Sequence, residues 1–439
     1  VDGKGINMWD VYLQENSPFL PDPASDFYHR YEEDIALAAE HGLQALRLSI
    51  SWVRIFPDID GEPNILAVQY YHRVFQSCLK HNVIPFVSLH HFDSPQKMLE
   101  AGDWLNRGNI DRFIRYARFC FQEFTEIKHW FTINELMSLA AGQYIGGQFP
   151  PNHHFQLSEA IQANHNMLLA HARAVLEFHQ LGIEGEIGCI HALKPGYSID
   201  GKKENILAAK RYDVYNNKFL LDGTFLGYYS DDTLFHLNQI LEANNSSFII
   251  EDGDLEIMKR AAPLNTMFGM NYYRSEFIRE YEGENKQQFN STGIKGRTSF
   301  KLNALGEFVK KTGIPTTDWD WNIYPQGLFD MLLRIKEEYP QHPVIYLTEN
   351  GTALKEVKPE IEGDIIDDSK RICYIEQHLH KVLEARDRGV NIQGYFIWSL
   401  QDQFSWANGY NKRYGLFFVD YETQKRYIKK SALWVKGLK

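Results

Sequence analysis

Two glutamates, Glu135 and Glu349, each close a short apolar run, in Phe131-Thr-Ile-Asn-Glu135 and Tyr346-Leu-Thr-Glu-Asn-Gly351. One carboxylic acid can protonate a leaving oxygen while a second carboxylate attacks an anomeric carbon. Held about 5–5.5 Å apart, such a pair breaks a glycosidic bond with retention of configuration. Each glutamate alone fits an ion pair on the rim of a fold equally well; the pair in its surroundings points to chemistry. A second group lies in the segment Asp402–Gly415, where Ser405, Lys412 and Tyr414 offer two hydroxyls and one ammonium. Those donors suit a phosphate dianion. A lone loop lysine is ordinarily just solvated, but three such donors at close spacing form a stronger signal. His90-His91 and His153-His154 do not read as metal pairs, because adjacent strand residues point to opposite faces. No H-E-x-x-H occurs. The expectation is therefore no metal and no cofactor.

Residues so far apart in sequence need a scaffold that brings them together. Seven short runs, each too short for a helix, recur along the chain: Leu43–Ser49, Val83–Leu89, Trp130–Asn134, Glu186–His191, Met267–Tyr273, Val344–Thr348 and Gly394–Leu400. They are almost continuously apolar, as parallel strands buried on both faces are. Amphipathic stretches such as Arg30–His41 and Asn109–Phe124 alternate with them, which indicates βα units. Nearly every run ends in a residue of catalytic type: Arg47, His91, Asn134-Glu135, His191, Asn271 with Tyr273, Glu349, and Trp398. A (β/α)₈ barrel gathers the C-terminal ends of all its strands at one site, whereas an open doubly wound sheet uses mainly one switch point. The reading is an α/β (β/α)₈ barrel, one catalytic domain over 1–439. Only seven strands are found, so strand one is expected upstream of Val1. The polar stretch Tyr281–Lys311 reads as a long strand–helix loop.

Composition narrows the partners. The 439 residues carry a formal net charge of −11, a field that repels nucleic acid and anionic membranes. It repels an anionic substrate too, so a phosphate ligand would need a local cationic pocket. No apolar run reaches the roughly 20 residues of a membrane span. Cys78, Cys120, Cys189 and Cys373 show no C-x-x-C spacing and read as buried free thiols of a reducing compartment.

At this point the chain resembles the family 1 glycoside hydrolases from end to end. Thr132-Ile-Asn-Glu135 is similar to their acid/base motif, with Leu136 where proline usually follows, and Thr348-Glu-Asn-Gly351 to their nucleophile motif. Tyr28-His-Arg-Tyr-Glu-Glu-Asp34, Arg47-Leu-Ser-Ile-Ser-Trp52, Ser88-Leu-His-His-Phe-Asp93 and Gly394-Tyr-Phe-Ile-Trp-Ser-Leu400 add further matches. The resemblance implies that Glu349 is the nucleophile, kept ionised by Arg47 and a hydrogen bond from Tyr273. It implies that Glu135 is the acid/base, protonated at rest through burial and the charge on Glu349. Asn134 would hold the 2-hydroxyl, His91 a neighbouring hydroxyl, and Trp398 would form an apolar floor under the sugar.

Within that family, glutamate usually stands at the place of Ser405, and a carboxylate there would repel a 6-phosphate. The trio Ser405, Lys412 and Tyr414 resembles that of the 6-phospho-β-glycosidases. Leu89-His-His-Phe-Asp-Ser-Pro95, Thr317-Asp-Trp-Asp-Trp321 and Phe404-Ser-Trp406 resemble the galactosidase branch. There the indole of Trp406 would suit an axial 4-hydroxyl. The resemblance thus implies a cytoplasmic bacterial enzyme acting on phosphorylated disaccharides of the lactose 6-phosphate type. One aromatic residue leaves 6-phospho-β-glucosidase and dual specificity open. The missing strand leaves open a reading of another class, an inactive truncated sugar-phosphate-binding barrel.

Overall fold

The computed structural model describes residues 1–361 and 363–438. The seven apolar runs become parallel strands: β1 (Ala45–Ser49), β2 (Ile84–His90), β3 (His129–Asn134), β4 (Glu186–Ala192), β5 (Met267–Asn271), β6 (Val344–Asn350) and β7 (Ile392–Ile397). They lie side by side in chain order as one curved sheet. Strands β5 and β6 are buried throughout, and β2, β3 and β4 everywhere but their first residue. This is why their sequences lack polar alternation.

Helices wrap the outside and return the chain to the bottom of each next strand. Ile65–Lys80 precedes β2, Gly108–Glu123 precedes β3, Leu157–Gln180 precedes β4, Pro325–Glu338 precedes β6 and Ser369–Asp387 precedes β7. Each presents one apolar stripe inward: Val74, Phe75 and Cys78 in one, Phe113, Tyr116, Ala117 and Cys120 in the next. The architecture is a TIM-type barrel, nearly closed, with seven strands. Strands β1 and β7 form the two ends of the sheet, and among the described residues no ladder joins them. Both are only half-buried over most of their length, and a cleft lined by Leu46, Leu48, Phe396 and Ile397 runs between them.

Three expectations are corrected. The polar stretch 281–311 is no loop: it contributes strands Lys286–Gln288, Ser299–Leu302 and Gly306–Phe308 to a small sheet with Glu276–Arg279 and Gly196–Ser198. Strands of three or four residues, punctuated by glycine, give too little periodicity to read. Strand β7 ends at Ile397 rather than Leu400, because the chain then turns to bond the segment that follows. Ser399 N–H donates to Tyr414 O at 3.3 Å and Leu416 N–H to Ser399 O at 3.0 Å. Finally, Cys78, Cys120 and Cys189 are buried as expected, but Cys373 is exposed, since it sits on the outer face of helix Ser369–Asp387.

Candidate active site

The C-terminal ends of the seven strands converge on a cavity of about 1320 Å³, a volume that includes the cleft between β1 and β7. Glu135 ends β3 with φ +49°, left-handed backbone unusual for a residue with a Cβ. Such strain persists only where the surroundings enforce it. Here Glu135 N–H still donates to Ile190 O of β4 at 2.8 Å while its carbonyl starts the helix Leu136–Tyr144. The ladders of β3 and β6 both slip in register just before their glutamates, which re-aims the two side chains.

Around Glu349 the contacts are dense. Arg47 from β1 donates to Oε1, and Tyr273 donates its hydroxyl to Oε2 at 2.6 Å. The other amine of Arg47 reaches Ser88 Oγ at 3.2 Å and Asn134 Oδ1 at 3.3 Å. It also lies 3.5 Å from His91 Nδ1, while Asn134 Nδ2 lies 3.3 Å from His91 Nε2. Burial, and next the Arg47 charge, hold His91 well below its ordinary value, so its ring is neutral. The His91 and Trp398 rings stack with centroids 5.9 Å apart. Glu135 has its own holder: Asn271 donates to Oε1 at 2.7 Å and is itself fixed by Thr348 Oγ1, which donates to Asn271 Oδ1 at 2.6 Å. Asn271 thereby ties the ends of β3, β5 and β6 together. It stood among the strand-end residues in sequence, yet its bond to Glu135 could not be read there.

The expectation of an ionised Glu349 needs correction. Its two predicted partners are present, but burial outweighs them and pushes its carboxyl up to about 7. The Arg47 charge opposes this, the nearby Glu135 charge adds to it, and the Tyr273 hydrogen bond opposes it again. Glu349 is 4 % exposed, so little water remains to solvate a full charge.

The same cavity receives Ser405, Trp406, Lys412 and Tyr414. Lys412 is 4 % exposed and its ammonium has no salt bridge among the described residues. Its neighbours are rings instead: Trp321 at 4.4 Å, Trp319 at 5.3 Å and Phe289 at 5.6 Å from Nζ to centroid. Burial lowers its value to about 7, with the Arg274 charge adding to the shift. Ser405 Oγ accepts from Asn408 Nδ2 at 2.9 Å and keeps its own proton to donate. Trp406 stacks on Trp9, centroids 4.9 Å apart and planes 2° apart, and Trp9 Nε1 donates to Phe92 O at 2.7 Å. Trp9 was not singled out in the sequence, because it lies at the far end of the chain from Trp406.

What fixes this segment is an ionic cluster beneath it. Asp402, fully buried, accepts from Gly415 N–H at 2.9 Å, Arg413 Nη1 at 2.7 Å and Lys429 Nζ at 2.8 Å. Arg371, also fully buried, donates to Tyr414 O and to Asp368 Oδ2, each at 2.8 Å. Gly415 is required by space: a Cβ there would come within 2.2 Å of Asp402 N and 2.3 Å of Gln401 C. All eleven site residues expected from sequence thus border one cavity or bond directly to a group that does: Arg47, His91, Asn134, Glu135, Tyr273, Glu349, Trp398, Ser405, Trp406, Lys412 and Tyr414.

Known proteins similar to this chain share both sequence and fold. The sequence profile of glycosyl hydrolase family 1 matches residues 1–439. A protein named 6-phospho-beta-galactosidase 1 from Streptococcus pneumoniae serotype 4 is 95% identical over 439 residues, covering 100% of this chain and 93% of its own length. A 6-phospho-beta-galactosidase from Lacticaseibacillus rhamnosus is 49% identical over 438 residues, covering 99% of this chain and 92% of its own. Among solved structures, a family 1 b-glucosidase from Thermotoga maritima superposes with TM-score 0.86 at 31% identity, covering 100% of this chain and 92% of its own. A psychrophilic beta-glucosidase from Micrococcus antarcticus does so with TM-score 0.89 at 31% identity, covering 99% and 92%.

Proposed function

The chain belongs to glycosyl hydrolase family 1, and we propose that it hydrolyses 6-phospho-β-galactosides as a retaining enzyme, through a covalent glycosyl-enzyme on Glu349. The whole chain acts as one catalytic domain in this reading, on a phosphorylated disaccharide in the cytoplasm. The observation that carries the phosphosugar assignment is Lys412, an ammonium buried among aromatic rings with no carboxylate partner among the described residues, in the cavity that also holds Glu135 and Glu349. An unpaired buried cation is costly unless a ligand supplies the counter-charge. Ser405 and Tyr414 line the same cavity with hydroxyl donors, and the names of the relatives agree with this reading.

The chemistry follows from the contacts. Glu349 attacks the anomeric carbon from one face while Glu135 gives its proton to the departing oxygen on the other. Arg47 and Tyr273 hold both Glu349 oxygens, which aims the attack and favours the ionised form. Asn271 holds Glu135 at Oε1, leaving Oε2 for the leaving group. Water then enters on the leaving-group side, Glu135 takes its proton, and the ester to Glu349 breaks. Asn134, already bonded to Arg47, meets the 2-hydroxyl, where hydrogen bonds strengthen as the ring flattens towards an oxocarbenium ion. His91 bonds a neighbouring ring hydroxyl, and Trp398 lies under the sugar. Trp406, clamped flat on Trp9, forms a fixed wall toward the 4-hydroxyl and favours galactose.

The test compares nitrophenyl β-galactoside with its 6-phosphate, and the matching pair of glucosides. The phosphorylated galactoside is expected to dominate, and Lys412→Ala to raise its KM chiefly. Equal rates with and without phosphate would sink the phosphate pocket. Equal rates on the two phosphorylated sugars would sink the galactose preference alone.

A further inference from the structure

A phosphate monoester carries about two negative charges at neutral pH, yet Lys412 offers one positive charge and Ser405 and Tyr414 offer none. Enclosing the residual charge among Trp319, Trp321 and Phe289 would leave it poorly compensated. The cavity contains further cationic side chains, among them Lys194 and Arg274. Arg274 follows Tyr273, lines the same cavity and is 17% exposed at its side chain. Its guanidinium carbon lies 5.0 Å from the centroid of Trp321, the ring over which Lys412 Nζ sits at 4.4 Å. One indole therefore carries both cations. Among the described residues the one acidic contact of Arg274 is an ion pair through Nε, 2.7 Å from Glu276 Oε1, without the geometry of a hydrogen bond. Among the described residues its two terminal amines make no hydrogen bond. Glu276, 5% exposed, is held in turn by Asn322 from beyond Trp321.

We propose that Arg274 is a second phosphate-binding and specificity-determining residue, presenting its two terminal amines to the 6-phosphate while Glu276 anchors it through Nε. The assignment rests on the phosphosugar reading above and deepens it. A planar fork with Nε ion-paired and its two terminal amines unbonded can bind phosphate oxygens in pairs. Lys412 then acts as the point charge, Trp321 as the shared platform, and Arg274 adds paired donors to the dianion, its charge partly offset by Glu276. The rival account makes Arg274 and Glu276 a structural ion pair at the rim. In the empty enzyme the Arg274 charge also disfavours the charged form of Lys412 in either role, so the two accounts separate on the phosphorylated against the plain substrate.

The experiment measures, for wild type, Arg274→Met, Arg274→Lys and Lys412→Ala, the kcat/KM of nitrophenyl β-galactoside 6-phosphate and of the unphosphorylated galactoside. It also follows inhibition by inorganic phosphate against pH. A charge-assisted hydrogen bond lost from a buried site corresponds to about a 10- to 100-fold change. R274M is expected to cut kcat/KM for the phosphorylated substrate and weaken phosphate inhibition by that factor. The unphosphorylated substrate should lose far less, and R274K should recover part of the loss. In R274M the pH at which phosphate inhibition fades should also move up from about 7, because Lys412 no longer faces a neighbouring cation. Losses of equal size on both substrates would overturn the proposal in favour of the structural pair. If K412A removes the preference for phosphate and R274M does not, Arg274 alone is wrong. If K412A leaves the preference intact, the phosphosugar pocket itself fails.

Discussion

Burial lowers Lys412 to about 7, and this makes phosphate recognition a proton-coupled event. In the empty enzyme at pH 7 about half the Lys412 side chains are neutral, and each further pH unit removes a tenfold share of the charged form. A bound dianion restores the counter-charge and draws the proton back. Between pH 7 and 9 the apparent affinity for a 6-phosphosugar is therefore expected to fall about 50-fold, or ~2.3 kcal/mol. At pH 8 binding should take up about 0.9 proton per ligand. Titration calorimetry with galactose 6-phosphate, run in buffers of low and high ionisation heat, counts those protons directly. The ligand is a reaction product and already a dianion over this range, so it adds no titration of its own. Lys412→Arg provides the control, since a guanidinium stays charged throughout. It should bind with a flatter pH profile, and whatever the carboxylate pair contributes should cancel in the comparison. A wild-type affinity that holds steady from pH 7 to 9, with no proton uptake, would refute the reasoning.

The other predictions concern the same cavity. Lys412→Met should stabilise the ligand-free fold: the Lys412 value is lowered on folding, so the unfolded chain holds more protons between about pH 7 and 10.5 and stability is depressed most below that window. The gain at neutral pH is on the order of 4 kcal/mol, read as a higher Tm, and a lower Tm would contradict it. Tyr273→Phe removes a hydrogen bond that lowers Glu349, so the acidic limb of kcat/KM should shift upward by about 1–2 pH units and activity at pH 6 should drop; an unmoved limb would show the bond to be idle. Asp402→Asn strips the charge that Arg413 and Lys429 share, with an expected loss of about 3–5 kcal/mol in urea unfolding and a larger KM for phosphorylated than for plain galactosides. Trp9→Ala leaves Trp406 without its stacking partner, so the galactose-to-glucose ratio should fall while the phosphate preference stays; an unchanged ratio would remove Trp406 from sugar selection.

Much of the site was legible because a barrel turns strand ends into neighbours. Arg47, Glu135 and Glu349 lie on three different strands, yet each ends an apolar run, and runs of that kind converge only at the barrel mouth. Contacts between those ends were not legible. Asn271 ended a run like the others, but nothing in Met267–Asn271 says that its amide bonds Glu135 rather than a sugar. The strands within 281–311 were unreadable because three or four polar residues hold too little pattern to separate a ladder from a loop.

Charge set a firmer limit than position. Sequence reasoning places Arg47 and Tyr273 beside Glu349 and concludes that it is ionised, because it counts partners and cannot weigh enclosure. The partners are there, but a carboxyl 4 % exposed pays more for desolvation than two contacts return, and Glu349 sits near 7. Lys412 follows the same rule with the opposite sign: burial that favours a neutral carboxyl also favours a neutral amine. At neutral pH the empty cavity thus holds a nucleophile and a phosphate anchor that are each only part-charged. A phosphorylated sugar shifts the anchor toward its charged form, since the dianion rewards the ammonium. A plain sugar offers no such reward. Discrimination between the two then comes from the state of Lys412 as well as from its position, and should weaken as pH rises through about 7 and the ammonium is lost. A phosphate preference that stayed constant from pH 6 to 8 would mean that position alone decides.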